Sequence, residues 1–162
     1  MMRKLIGASL AGLMLVSPAL ADGKVYVQLP DLSSLHGEGQ KDFLRGLILA
    51  NVISSNCPDF AVTEPEWSLL TDSADLIGRG QFHLNAEAYD QQYFGPAFAV
   101  LEDKSACETY GPTVQPILDQ LVALGGSREP LPDQDAAYED WRKMQDEWDA
   151  ADAAPVGKTK TK

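Results

Sequence analysis

The chain has 162 residues, 44% of them hydrophobic, and carries 24 acids against 13 bases for a formal charge of −11. That charge opposes nucleic-acid phosphates and anionic lipid headgroups, because the counterion release that drives nucleic-acid binding needs Lys and Arg on the protein. Nucleic acid is therefore not an expected partner; a basic protein, a cation or solubility fits the sign.

The first 21 residues have the three parts of a secretory signal peptide: basic Arg3 and Lys4, an apolar run from Leu5 to Val16, and Ala19-Leu20-Ala21 before the expected cleavage between Ala21 and Asp22. The apolar run is about a dozen residues, short of the roughly 20 that a helix needs to cross a bilayer, and Pro18 follows it. No cysteine for lipid modification stands at the cleavage site, and no later segment is apolar enough to span, so the mature chain is expected to lack a transmembrane segment. Cleavage removes two bases and no acids, which moves the charge from −11 to −13.

Cys57 and Cys107 are the two cysteines of the chain. In an oxidising compartment an even pair in a small exported domain forms a disulfide, and the spacing is unlike the C-x-x-C of redox motifs. A Cys57–Cys107 bridge is expected, stabilising the fold by roughly 4 kcal/mol in the chain-entropy treatment.

Residues 22–38 are read as an N-terminal arm. Val25, Val27 and Leu29 alternate with more polar neighbours up to Pro30-Asp31, but six residues with no convincing partner strand cannot make a sheet, so the arm should lie on helices. Residues 39–126 form the expected helical domain. From Gly39 to Asn56, Phe43, Leu44, Leu47, Ile48, Val52 and Ile53 recur at helical spacing, and Pro58 stops the run. Thr63-Glu64-Pro65-Glu66 has the pattern of a capping box with proline in the first turn, opening a helix through Trp67, Leu70, Ala74 and Ile77 that Gly78 and Gly80 should end.

A third helix from near Asn85 places Tyr89, Tyr93, Phe94 and Phe98 on one apolar face, read as core, with a kink or break at Gly95-Pro96. A fourth follows Gly111-Pro112 with Val114, Ile117, Leu118, Leu121, Val122 and Leu124, closed by a left-handed cap at Gly125-Gly126. The core should end near Leu124. Residues 127–162 then comprise a proline-containing linker with little to bury, an acidic amphipathic helix over 135–150, and a basic tail from Pro155 expected to be disordered. The fold class is all-α: a small disulfide-linked bundle of about four helices plus an amphipathic C-terminal helix.

His36 and His83, the two histidines, are read as surface or capping residues, the carboxylates follow no EF-hand loop, and no metal or cofactor is expected. No G-x-S-x-G elbow, S-x-x-K pair, Cys-His arrangement or phosphate loop is present, and Ser54-Ser55 has no patterned base. Tyr138, Trp141 and Trp148 at spacings of three and seven on the last helix either dock on the core or offer aromatic anchors to a partner.

The residues Lys41-Asp42-Phe43-Leu44-Arg45-Gly46, Asn56-Cys57-Pro58, Glu66-Trp67, Ala88-Tyr89-Asp90, Tyr93-Phe94-Gly95-Pro96-Ala97-Phe98, Cys107 and Leu124-Gly125-Gly126 resemble an uncharacterised family of small exported bacterial proteins. The resemblance implies a signal peptide, one disulfide and a helical body, with no activity to carry over. A weaker similarity, in the cysteine spacing and Cys57-Pro58-Asp59-Phe60, is to the periplasmic acid-stress chaperones. The resulting expectation is an exported, non-enzymatic, periplasmic or secreted protein that binds another envelope protein. The alternatives are an acid-activated holdase and an unrecognised hydrolase.

Overall fold

The computed structural model describes residues 23–153. The expected signal peptide, the cleavage point at Ala21 and Asp22, and the basic tail from Pro155 lie outside the described residues. Within them the fold is all-α, with no strand and one isolated bridge.

Helix α1 (Gly37–Asn56) is the central element, burying Leu44, Leu47, Ile48, Val52 and Ile53, and it packs against α2 (Glu64–Asp75) and α6 (Val114–Ala123). It ends where Cys57 turns extended, as the residue before a proline is pushed to do. The capping box of α2 forms as expected: Glu66 N–H donates to Thr63 Oγ1 at 3.4 Å, and Thr63 N–H donates to Glu66 Oε2 at 3.0 Å.

Gly78 and Gly80 do not stop this helix. The backbone continues from Leu76 to Gln81 in wider π winding, and both glycines serve close approach instead. A β-carbon on Gly78 would come within 2.7 Å of the Tyr89 ring, and one on Gly80 within 3.1 Å of Trp148.

The third predicted helix is segmented into α3 (Ala86–Tyr89), a π turn over Asp90–Phe94 and α4 (Gly95–Ala99). Asn85 caps it, its side chain accepting from Ala88 N–H at 2.9 Å. The irregularity expected at Gly95-Pro96 is thus met by the π turn just before it, in which Gly95 N–H donates to the Asp90 carbonyl. Tyr89, Tyr93 and Ala97, successive at intervals of four, are buried, whereas Phe98, predicted as core, lies about half a turn from Tyr89, is 50% exposed and stacks on Phe94.

A short helix not read from the sequence, α5 (Ala106–Tyr110), carries Cys107 to Cys57, with a Cα–Cα distance of 5.6 Å. Beside the bridge the Phe60 ring lies against Gly111, where a β-carbon would clash with it. Helix α6 comes next and closes in a left-handed Gly125 (φ 97°), with Gly125 and Gly126 N–H groups donating to Val122 and Leu121 carbonyls at 2.9 Å each, the cap that the sequence predicts.

Residues 127–131 do more than link. Ser127 N–H donates to the Gln28 carbonyl and Leu131 N–H to the Tyr26 carbonyl, both at 2.9 Å, and Val27 forms an antiparallel bridge with Pro130. The core cluster ends at Leu124, as expected, and takes in Val27 and Leu32 of the arm. The alternation expected for the arm fails, because Tyr26 and Val27 are both buried. The reason is that the arm is covered twice: Val27 joins the main core cluster, while Tyr26 meets Tyr138 of α7 (Gln134–Ala153), ring centroids 6.1 Å apart.

Candidate functional site

Helix α7 starts after Asp133, whose carboxylate accepts from Ala136 N–H at 3.0 Å, and Gln134 locks it to the arm by accepting from Tyr26 N–H and donating to the Tyr26 carbonyl. One face then carries Tyr138, Trp141 and Trp148 towards the body. Trp141 is 5% exposed and Trp148 half-buried, their rings perpendicular with centroids 5.7 Å apart. Tyr138 stays 37% exposed beneath the Arg142 guanidinium. Of the three aromatics read as either docking on the core or anchoring a partner, Trp141 docks α7 to the body.

Beneath Trp141 lies a polar cluster that joins three parts of the chain. Lys24 Nζ on the arm is 2.7 Å from Asp72 Oδ1 on α2 and 4.1 Å from the centre of the Trp141 ring. Asp72 is 1% exposed, and burial pushes its carboxyl up to about 6 although the Lys24 ammonium pulls the other way. Along the same seam Arg79 pairs with Asp149 of α7 at 2.6 Å and lies over Trp148. A hollow of about 260 Å³ between arm, α2 and α7 is lined by Asp72, Asp140, Trp141 and Met144.

One turn further on, where α2 passes into the π winding, a second hollow of about 480 Å³ opens between that winding, α3 and the last turns of α7. Its walls include Asp75, Arg79, Tyr89, Asp149 and Asp152, with Leu84 and Phe94 as apolar surface. Burial raises the Asp75 carboxyl, with the Arg79 and Lys24 charges opposing that shift. Tyr89, 7% exposed, has a fully buried hydroxyl beside the Asp75 carboxyl, its hydrogen-bond acceptor, and this contact holds Asp75 down while burial raises it. Burial, then the neighbouring Asp75 carboxylate, strongly disfavours its ionisation, so the phenol stays neutral.

The remaining candidates are placed more plainly. His36 and His83 are both exposed, His83 in the left-handed region at φ 51°. Ser54 is buried and donates to the Asn51 carbonyl at 3.0 Å, an arrangement with no base to activate it as a nucleophile. Among the described residues no group of three or more His, Cys, Asp or Glu side chains could hold a metal ion, and no helix is long and apolar enough to cross a membrane.

Lys24, Asp72, Asp75, Arg79 and Tyr89 do not stand out as site residues in the sequence. One signal was present: Asp72 and Ser73 interrupt the run Leu69, Leu70, Ala74 and Ile77, all of which are buried, and a carboxylate in such a stripe demands a partner. Comparison of the chain with family models, curated proteins and solved structures finds no match.

Proposed function

We propose that the mature protein is an exported, non-enzymatic binding protein of the cell envelope, and that the face built by α7 and the end of α2 receives a basic protein partner. The observation that carries this reading is how α7 divides its residues. Its tryptophans are used inward, on the arm and on Gly80, so that the outer face is left to carboxylates: α7 holds seven acids against two bases, with Glu139, Asp140, Asp146, Glu147 and Asp149 all exposed. Such a field steers a cationic partner and rejects an anionic one. The disulfide suits an oxidising compartment, and the resemblance to small exported bacterial proteins supports the same placement.

The holdase alternative requires the bundle to open as pH falls. The buried Asp72 and half-buried Asp75 of the seam take up protons more readily folded than unfolded, so their contribution to stability grows on acidification, which weighs against that alternative.

The test is capture from envelope extract by the oxidised mature chain, compared with a variant carrying Glu139→Gln, Asp146→Asn and Glu147→Gln. A basic protein held at low salt, released at high salt and lost by the variant is the expected result. Equal capture by the variant would remove α7 from the interface.

A further inference from the structure

We infer that Met144 is an oxidation switch: conversion of its thioether to the sulfoxide by a peroxide releases α7 from the arm and α2. The inference concerns how α7 is held, and it stands whether or not the acidic face binds a partner.

The docking of α7 rests on one stripe of side chains. Among the described residues no backbone-to-backbone hydrogen bond joins α7 to the body, so beyond the contacts of Gln134 the helix is held by side chains. Ala137, Trp141, Met144 and Trp148 recur at spacings of four, three and four, which puts them on one face at 3.6 residues per turn. Trp141 is buried over Lys24 of the arm and Trp148 lies on Gly80. Met144 stands between them in the wall of the hollow of about 260 Å³ that α7 shares with the arm and α2. Of the four methionines in the chain, Met1, Met2 and Met14 belong to the expected signal peptide, so Met144 is the one thioether of the mature protein.

Access and surroundings make this thioether both reactive and consequential. Met144 is half-buried, and its hollow is several times the roughly 30 Å³ that a water molecule occupies, so a peroxide reaches the sulfur without unfolding the chain. Around it the hollow offers Leu76 and Leu131 as apolar wall and Asp72 and Asp140 as carboxyls, which when ionised only accept hydrogen bonds. The Gln28 amide donates to the Leu29 carbonyl at 3.1 Å. A sulfoxide oxygen is a strong acceptor, so in this wall it faces carbon and other acceptors and regains its hydrogen bonds by turning to water. With hydrogen peroxide the step balances. A sulfur lone pair attacks one peroxide oxygen, the S–O bond forms as the O–O bond breaks, and the departing hydroxide takes the remaining proton to leave sulfoxide and water. Sulfur gives up two electrons and the peroxide takes them.

The experiment treats the full mature chain, its disulfide intact, with hydrogen peroxide, and follows peptide mass and limited proteolysis of residues 127–134. One oxygen atom should be gained at Met144, and cleavage in 127–134 should become about tenfold faster. Methionine sulfoxide reductases A and B together, which between them reduce both epimers, should restore the untreated rate. Met144→Leu keeps the apolar volume and should stay protected with and without peroxide, whereas Met144→Gln should be cleaved rapidly without any oxidant. Oxygen gained at Met144 with protection of 127–134 unchanged overturns the switch. So does a Met144 that resists peroxide under conditions that fully oxidise N-acetylmethionine, and so does equal release in Met144→Leu, which would assign the effect to the tryptophans. Should Met144→Gln not fold, reversal by the reductases on the wild type decides alone. Partner capture enters none of these readouts, so this inference and the binding reading fail separately.

Discussion

Replacing Lys24 by Met tests whether the ion pair under Trp141 holds the arm, α2 and α7 together. Met keeps an apolar stem of similar length on the aromatic rings and removes the ammonium that lies 2.7 Å from Asp72 and 4.1 Å from the Trp141 centroid. At about pH 8, above the raised Asp72 value of about 6, the variant confronts a nearly fully buried carboxylate with its cation gone. Breaking a buried pair in this way costs about 3 kcal/mol, limited by the ability of Asp72 to take a proton instead. At about pH 5 Asp72 is already largely protonated in the wild type, so the loss shrinks to the cation–π contact, about 1 kcal/mol. The destabilisation should therefore be larger at the higher pH by about 2 kcal/mol. Urea unfolding followed by tryptophan fluorescence at the two pH values measures it. An equal destabilisation at both would falsify the assignment of Asp72 as the titrating partner.

The wild type itself should gain stability on mild acidification. Asp72 has a folded value raised from 3.8 to about 6, so its stabilisation is fully present below the unfolded value and is lost as pH rises through 6, worth about 1 kcal/mol between about pH 7 and pH 5; a urea midpoint that instead falls over this range would restore the acid-opened holdase. Trp141→Ala should cost about 3 kcal/mol and release α7, read as new proteolytic cleavage in residues 127–134 with the disulfide-linked body intact; unchanged protection would place the docking of α7 elsewhere. Reducing the Cys57–Cys107 bridge, which spans 50 residues, should lower stability by about 4 kcal/mol, and a shift below 1 kcal/mol would mean that the reduced unfolded chain is already constrained.

The residues that govern the fold differ in how local their reasons are. The capping box at Thr63 and Glu66, the left-handed cap at Gly125 and the apolar spacing of α1 each operate within a few residues, and each is legible in the sequence alone. Gly78, Gly80 and Gly111 are legible as glycines, but their reasons are not local. In sequence a glycine between apolar runs signals a stop, whereas here the missing side chain makes room for Tyr89, Trp148 and Phe60, which arrive from elsewhere in the chain. Phe98 stays out of the core because at 3.6 residues per turn it falls about half a turn round the helix from Tyr89, so the apolar face read there is too broad to be buried whole.

The same division applies to the candidate site. Composition and pattern by themselves determined an all-helical chain, an acidic last helix and the disulfide pair, since these depend on hydrophobic period, charge and cysteine number. Only the tertiary structure decided that Lys24 reaches Asp72 across 48 residues, that Trp141 turns inward, and that Asp75 and the Tyr89 hydroxyl share a hollow with Asp149. Each of those side chains was readable as surface or core until packing chose. The energy of a charge or hydroxyl depends on whether it is buried and what faces it, and both are properties of the assembled chain.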